Sequence, residues 1–214
     1  MSKLYSDTFR WLAIGLLVTF VAGFGIAYSP SLMGAIIGSS LGYLLPIIVQ
    51  FAICIGFGAM LKKLSYQKCI VLYIVYCLLT GIDIAILLHI FYLDSVIIIF
   101  FATAFVFGMM AFLEKYLDVD VSRMGTILFI SLLGIILMSI VNLLVLQSDS
   151  LSLLVSCIAI VIFLGYIIFD LKVLEPLARE VGEDKAAVYC AFQLYLDFIN
   201  LFIRLLQIFG KRRD

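Results

Sequence analysis

The stretch LYLDFINLFIRLLQIFG, residues 194–210, is apolar enough to enter a membrane, yet it carries an acid, an amide and a base: Asp197, Asn200 and Arg204. On a helix at about 100° per residue these three fall, with Gln193, Gln207 and Lys211, inside an arc of about 80°. A charged side chain at bilayer depth costs several kcal/mol unless a partner or water offsets it. Two chemistries fit such a stripe. One is hydrogen-bond glue between helices, for which Gln193 and Asn200 are well suited. The other is the polar lining of an ion or proton path, with Arg204 further along the same face. An ionisable acid costs more than glue requires, so Asp197 points towards proton or cation handling. Two further acids stand in apolar surroundings. Asp83 reads either as hydrogen-bonded to Thr80 or Tyr76 on its own helix or as an ion ligand. Asp170, beside Lys172, reads on its own as a solvated helix end. His89 reads as a satisfied histidine near the interface. Cys54, Cys69, Cys77, Cys157 and Cys190 are odd in number and contain no C-x-x-C, and with His89 they form no metal-ligand pattern. They read as small buried hydrophobes, not disulfides.

The elements that must position these residues follow from composition. The chain has 214 residues, 65% hydrophobic and 13% charged, where a soluble domain carries about 25% charged residues. An all-α integral membrane protein is expected, with membrane lipid as its first partner. A crossing helix needs roughly 20 apolar residues, and seven segments qualify: about 11–29, 40–61, 69–90, 95–113, 124–146, 151–169 and 187–209. The breaks are YSPS, KKLSYQK, FYLDS, EKYLDVDVSR, QSDSLS and KVLEPLAREVGEDK, with EKYLDVDVSR read as a solvated loop. No soluble domain fits between the segments, so residues 1–214 read as one domain. The first run is too long for a signal-peptide core and lacks an A-x-A site, so it reads as a helix that stays. A formal net charge of +0 offers no broad basic face, and no nucleic-acid partner is expected.

The charges orient the segments. With the N-terminus cytoplasmic, Lys3, Arg10, Lys62, Lys63, Lys68, Lys115, Arg123, Lys172, Arg179 and Lys185 all lie inside. The opposite connections, around 30–39, 91–95 and 147–151, hold no Lys or Arg. The last segment breaks the pattern. Its length favours spanning, which puts the basic stretch GKRRD outside, and that charge favours re-entry.

AFQLYLDFINLFIRLLQIFG closely resembles the C-terminal signature of the Bax inhibitor-1 (TMBIM) family in its bacterial branch. LTGIDIAILLHIF, DVSRMGTILFISLLGIILMSIVNLLV and IIFDLKVLE resemble further family segments in the right order, so the resemblance covers nearly the whole chain. It implies a seven-helix bundle in which six helices surround a central C-terminal seventh. It also implies a pH-sensitive calcium leak gated by a carboxylate pair, which on matching positions is Asp170 and Asp197. Two departures stand out. Gln50 occupies the position of a helix-two Glu, followed by Lys62 and Lys63 as the basic cluster, and an amide cannot exchange a proton as Glu does. Asp83 replaces a more usual Ser or Thr, and reads as a substitute ion ligand.

Two carboxylates in contact cannot both ionise cheaply, so one pKa rises and the pair shares a proton. Their titration then belongs to the pair. The implied mechanism is a proton-held clasp between the sixth and seventh helices. On opening, Lys62 or Lys63 serves as counter-charge to the freed carboxylate, and Asp170 and Asp197 meet calcium transiently as it passes. Calcium ions and protons are then the ligands, with no cofactor. The rival reading is a non-conducting regulator that binds a partner such as a membrane-bound protease or a cell-death factor. Two acids on different helices also bring an intramembrane aspartyl protease to mind, but the G-x-G-D signature is absent, so no enzyme is expected. The short N-terminal stretch favours a multi-pass protein of a bacterial inner membrane.

Overall fold

The computed structural model describes residues 3–213, with all their side chains except those of Ser40, Leu41 and Tyr43; residues 1, 2 and 214 of the expected domain lie outside the described residues. Among the described residues eight α-helices follow one another: α1 (Lys3–Ala27), α2 (Pro30–Ile37), α3 (Ser40–Met60), α4 (Tyr66–Ile90), α5 (Leu93–Leu113), α6 (Val121–Val141), α7 (Asp149–Val181) and α8 (Glu183–Phe209). The described residues contain no strand, only one isolated bridge between Phe91 and Arg212. Among the described residues six helices are long and apolar enough to cross a membrane: α1, α4, α5 with its 3₁₀ turn to Tyr116, α6 with its wide last turn to Leu146, α7 and α8. The described apolar part of α3, Leu44–Met60, is shorter.

Three boundaries differ from the sequence expectation, for one reason. Apolar length measures what lies in lipid, whereas a helix continues into water wherever its residues favour it. The clearest case is α7, which is 33 residues long and runs through KVLEPLAREV. Pro176 is accommodated inside it, and only Gly182, at φ 90°, ends it. That is a left-handed conformation natural to glycine. Similarly, α1 starts at Lys3 and α8 at Glu183. The YSPS break opens a short helix, α2, with Pro30 in its first turn, where a missing N–H costs nothing. At 8 residues it is about 12 Å long and does not span.

The chain forms two compact units. The first comprises α1–α4, residues 175–195 and the stretch after residue 211. In it α1 packs on α4 through small residues. A Cβ on Gly15 would lie 1.9 Å from Tyr73 Oη, and one on Gly23 would lie 2.8 Å from Ile84 Cγ2. Glycine at these positions lets the backbones approach, which is how helices associate where no hydrophobic force is available. Polar groups in this seam pair up. Tyr195 Oη lies 2.5 Å from Thr19 Oγ1, which donates to Cys77 O at 3.0 Å, and Tyr73 Oη donates to Trp11 O at 3.0 Å. On α3, Phe57 is fully buried against Tyr189 and Phe192.

This unit also fixes the course of the last helix. Lys185 Nζ donates to Leu64 O at 2.9 Å, next to the start of α4. Beyond the far end of α8, Arg213 N donates to Ile90 O at 2.8 Å, at the end of α4. Because α4 has 25 residues, it is about 37 Å long. The last segment is itself one unbroken helix of 27 residues, which does not turn back on itself as a re-entrant segment would.

The second unit holds α5, α6, residues 149–174 of α7 and residues 196–211. Phe198 packs on Phe100 and Phe107 at 5.4 and 5.7 Å between ring centres. Gly125 and Gly165 admit Phe169 and Leu128 between α6 and α7. EKYLDVDVSR is more than a solvated loop. Glu114 is buried and pairs with Lys172 Nζ at 3.1 Å, and Asp120 caps α6 by accepting from Ser122 N and Arg123 N.

A buried pair of aspartates as candidate functional site

Of the six spans, α8 is the most enclosed. In its most apolar window 72% of residues are buried, against 39% at most in the others. Asp197 lies within it, 4% exposed, between the buried Leu194 and Leu201 one turn away on either side. Asp170 lies on α7, 5% exposed, flanked by the buried Ile167, Leu171 and Leu174. It is mid-helix, not at a helix end, because α7 continues for another three turns. The second unit brings the two together. Their carboxyl groups meet within side-chain hydrogen-bonding reach, and Tyr166, one turn before Asp170, lies within electrostatic reach of both.

Asp197 Oδ2 is buried with no hydrogen-bond donor among the described residues. No lysine or arginine forms an ion pair with either aspartate there. Lys172, two residues from Asp170, is taken by Glu114. A buried acceptor without a donor costs on the order of 1–3 kcal/mol, and more when charged. The group facing Asp197 is itself a carboxyl, and a carboxyl donates only when protonated. One proton between the two acids satisfies the orphaned oxygen and removes one of two adjacent like charges. The geometry thus suits an acid pair that holds a proton. For a metal ion the case is weaker: no group of three or more His, Cys, Asp or Glu side chains among the described residues could hold one.

The other singled-out residues are placed as follows. The stripe on α8 is its more open side. Gln193, Asn200 and Arg204 are half-buried, and only Asp197 among them is enclosed. Asn200 and Arg204 find partners on their own helix. Asn200 Nδ2 donates to Leu196 O at 2.8 Å, and Arg204 Nη1 donates to Gln207 Oε1 at 3.1 Å. Gln207 Oε1 also accepts from Ser156 Oγ of α7 at 3.3 Å. Such local bonds reduce the need for a partner that the sequence reading assumed.

Asp83 bonds neither Thr80 nor Tyr76. Thr80 Oγ1 donates to Tyr76 O, and Asp83 Oδ2 accepts from Gln50 Nε2 of α3 at 2.9 Å. The two departures from the family pattern are therefore partners, a relation that no single-residue reading of the sequence contains. Lys62, expected with Lys63 as counter-charge to the carboxylate freed on opening, pairs here with Glu180, because α7 continues as a helix and carries that acid to the end of α3. Lys63 is exposed and forms no ion pair among the described residues. His89 Nδ1 lies 3.3 Å from Ala85 O on its own helix. No disulfide joins any of the five cysteines among the described residues; Cys69, Cys77 and Cys190 are buried, but Cys54 and Cys157 are exposed, since an apolar thiol on a membrane helix is as well placed against lipid as inside.

Comparison with known proteins bears on the chain as a whole. The family model described as "Inhibitor of apoptosis-promoting Bax1" matches residues 1–214. The chain is 32% identical over 214 residues to the inner membrane protein YbhL of Escherichia coli K12, covering 97% of this chain and 91% of that one. It is 33% identical over 213 residues to protein RP147 of Rickettsia prowazekii, covering 96% and 88% respectively. To a protein of Borreliella burgdorferi it is 29% identical over 218 residues, covering 100% and 94%.

Proposed function

The chain belongs to the Bax inhibitor-1 family, and on that premise we propose that this multi-pass membrane protein is a proton-controlled cation leak, with calcium the main permeant ion. The carrying observation is the buried Asp170–Asp197 pair with its orphaned Oδ2. A shared proton clasps α7 to α8. When it leaves, two like charges remain in apolar surroundings and the clasp opens. Cations then pass along acid and amide groups, as in carboxylate-lined pores. Asp170 and Asp197 meet calcium only in passing, and Asp83 with Gln50 offers a further oxygen-bearing pair. The protein is a conductor and not an enzyme, and it needs no cofactor.

The same reading makes α3 the seventh crossing and α8 the helix the others surround, which the burial of α8 supports. The Lys and Arg bias places the N-terminus in the cytoplasm, and the inner-membrane relative supports a bacterial inner membrane.

The test is calcium efflux from liposomes holding the pure protein across a pH series. Wild type is expected to leak more as pH rises through the titration of the pair. Asp197→Asn keeps the shape and a hydrogen bond to Asp170 but carries no titrating proton, so its leak should be low and flat. Asp170→Asn should act alike, and the double variant should add little, because the two form one titrating unit. A single variant that leaks with unchanged pH dependence removes the pair from the mechanism. Wild-type liposomes that do not leak at any pH leave the partner-binding regulator as the reading.

A further inference from the structure

The sequence after α8 is GKRRD, with three cations on the side where the charge pattern least expects them. The structure does not leave it loose. Phe91 and Arg212 form an antiparallel bridge, and Arg213 N donates to Ile90 O at 2.8 Å. This fastens the strand-like stretch to the end of α4. Both side chains are then directed by rings. The Arg212 guanidinium carbon lies 5.8 Å from the centre of the Phe91 ring, and that of Arg213 lies 5.8 Å from the centre of the Tyr92 ring. Phe91 is buried, while Tyr92, Arg212 and Arg213 are exposed.

The backbone bonds tether the chain whatever the side chains are, so tethering does not account for two consecutive arginines. A guanidinium resting on an aromatic ring keeps its in-plane N–H donors free, and these match phosphate oxygens in a bidentate manner. No Asp or Glu among the described residues lies within ion-pair distance of either arginine. Their level is the end of a span, beside a tyrosine of the kind that sits among lipid headgroups. The connections that the charge pattern assigns to the same side, residues 30–39 and 91–95, carry no other Lys or Arg. The phosphate groups abundant at that depth are those of the lipid headgroups, and a net negative headgroup suits two guanidinium groups best.

We infer that Arg212 and Arg213, fastened to Phe91 and Tyr92, form a binding site for the phosphate of an anionic phospholipid at the membrane face where α4 ends. This site is separate from the aspartate pair and does not rest on the leak.

The full-length protein, purified in neutral detergent, is titrated with phosphatidylglycerol, phosphatidylcholine and inorganic phosphate, and followed by melting temperature and native mass spectrometry. Phosphatidylglycerol should raise the melting temperature and give lipid-bound species, and phosphatidylcholine should do so far less. Arg212→Gln with Arg213→Gln should weaken phosphatidylglycerol binding by roughly tenfold or more, since each basic residue near a lipid surface is worth about a fivefold gain. Arg212→Lys with Arg213→Lys keeps the charge without the fork and should fall between. Unchanged phosphatidylglycerol binding in the double Gln variant overturns the site. So does equal wild-type binding of the two lipids, or displacement of the lipid by millimolar inorganic phosphate, which marks a free-anion site. Should the double Gln variant not fold, Arg213→Gln alone and the wild-type lipid comparison decide.

Discussion

Asp197 stood out in the sequence because an acid among LYL and FINLF violates the solvation rule of its surroundings. Asp170 did not, since a lysine two residues later made it look like a solvated end. Its partner was supplied by resemblance, and its burial by the structure. The lysine was spoken for by Glu114, an acid 58 positions away in sequence, and no local pattern reveals that. The same holds for Thr19, an ordinary hydroxyl in an apolar run that links Tyr195 to Cys77 O. Thr19→Val should leave the buried Tyr195 hydroxyl without that partner, lowering stability by about 1–3 kcal/mol. Thr19→Ser should restore most of it. Thermal melting in one detergent compares the three, and a Val variant as stable as wild type would deny the bond any weight.

At the scale of elements, the apolar segments were legible because transfer into lipid sums locally along the chain. Their ends were not, because α7 and α8 extend into water on charged residues that still favour helix. The pairing of helices was equally hidden. It depends on which faces carry small residues at matching heights, as Gly15 does for Tyr73 and Gly81 does for Ala22. This gives a paired test. Gly15→Ala places a methyl on the Tyr73 hydroxyl and should lower the melting temperature substantially, at an overpacking cost of about 1–3 kcal/mol. Gly25→Ala, with nothing within 4 Å of the added carbon, should be neutral or slightly stabilising. Equal melting of both variants would mean that α1 and α4 do not pack through Gly15.

For the whole molecule, topology is the measurable quantity. With the N-terminus inside, a reporter fused after residue 148 should be active only outside. The bond from Arg213 N to Ile90 O adds that a reporter fused after residue 213 should share the side of one fused after Tyr92. Cytoplasmic activity after residue 148 would reverse the orientation. Opposite sides for residues 92 and 213 would contradict the course of α8.

Apolar runs, their charged borders and the odd acid in the last segment are properties of neighbouring residues, so the chain by itself determined a multi-pass helical protein and pointed to Asp197. Pairing belongs to the fold. Asp170 with Asp197, Gln50 with Asp83, Lys62 with Glu180 and Arg212 with Phe91 join residues up to 121 positions apart. Each pair exists only because two segments distant in sequence, packed through faces that no local rule specifies, come within about 3–6 Å. Burial then decides what the pair does: exposed, Lys62 and Glu180 are a weak surface tie, whereas two enclosed carboxyls must share a proton or separate.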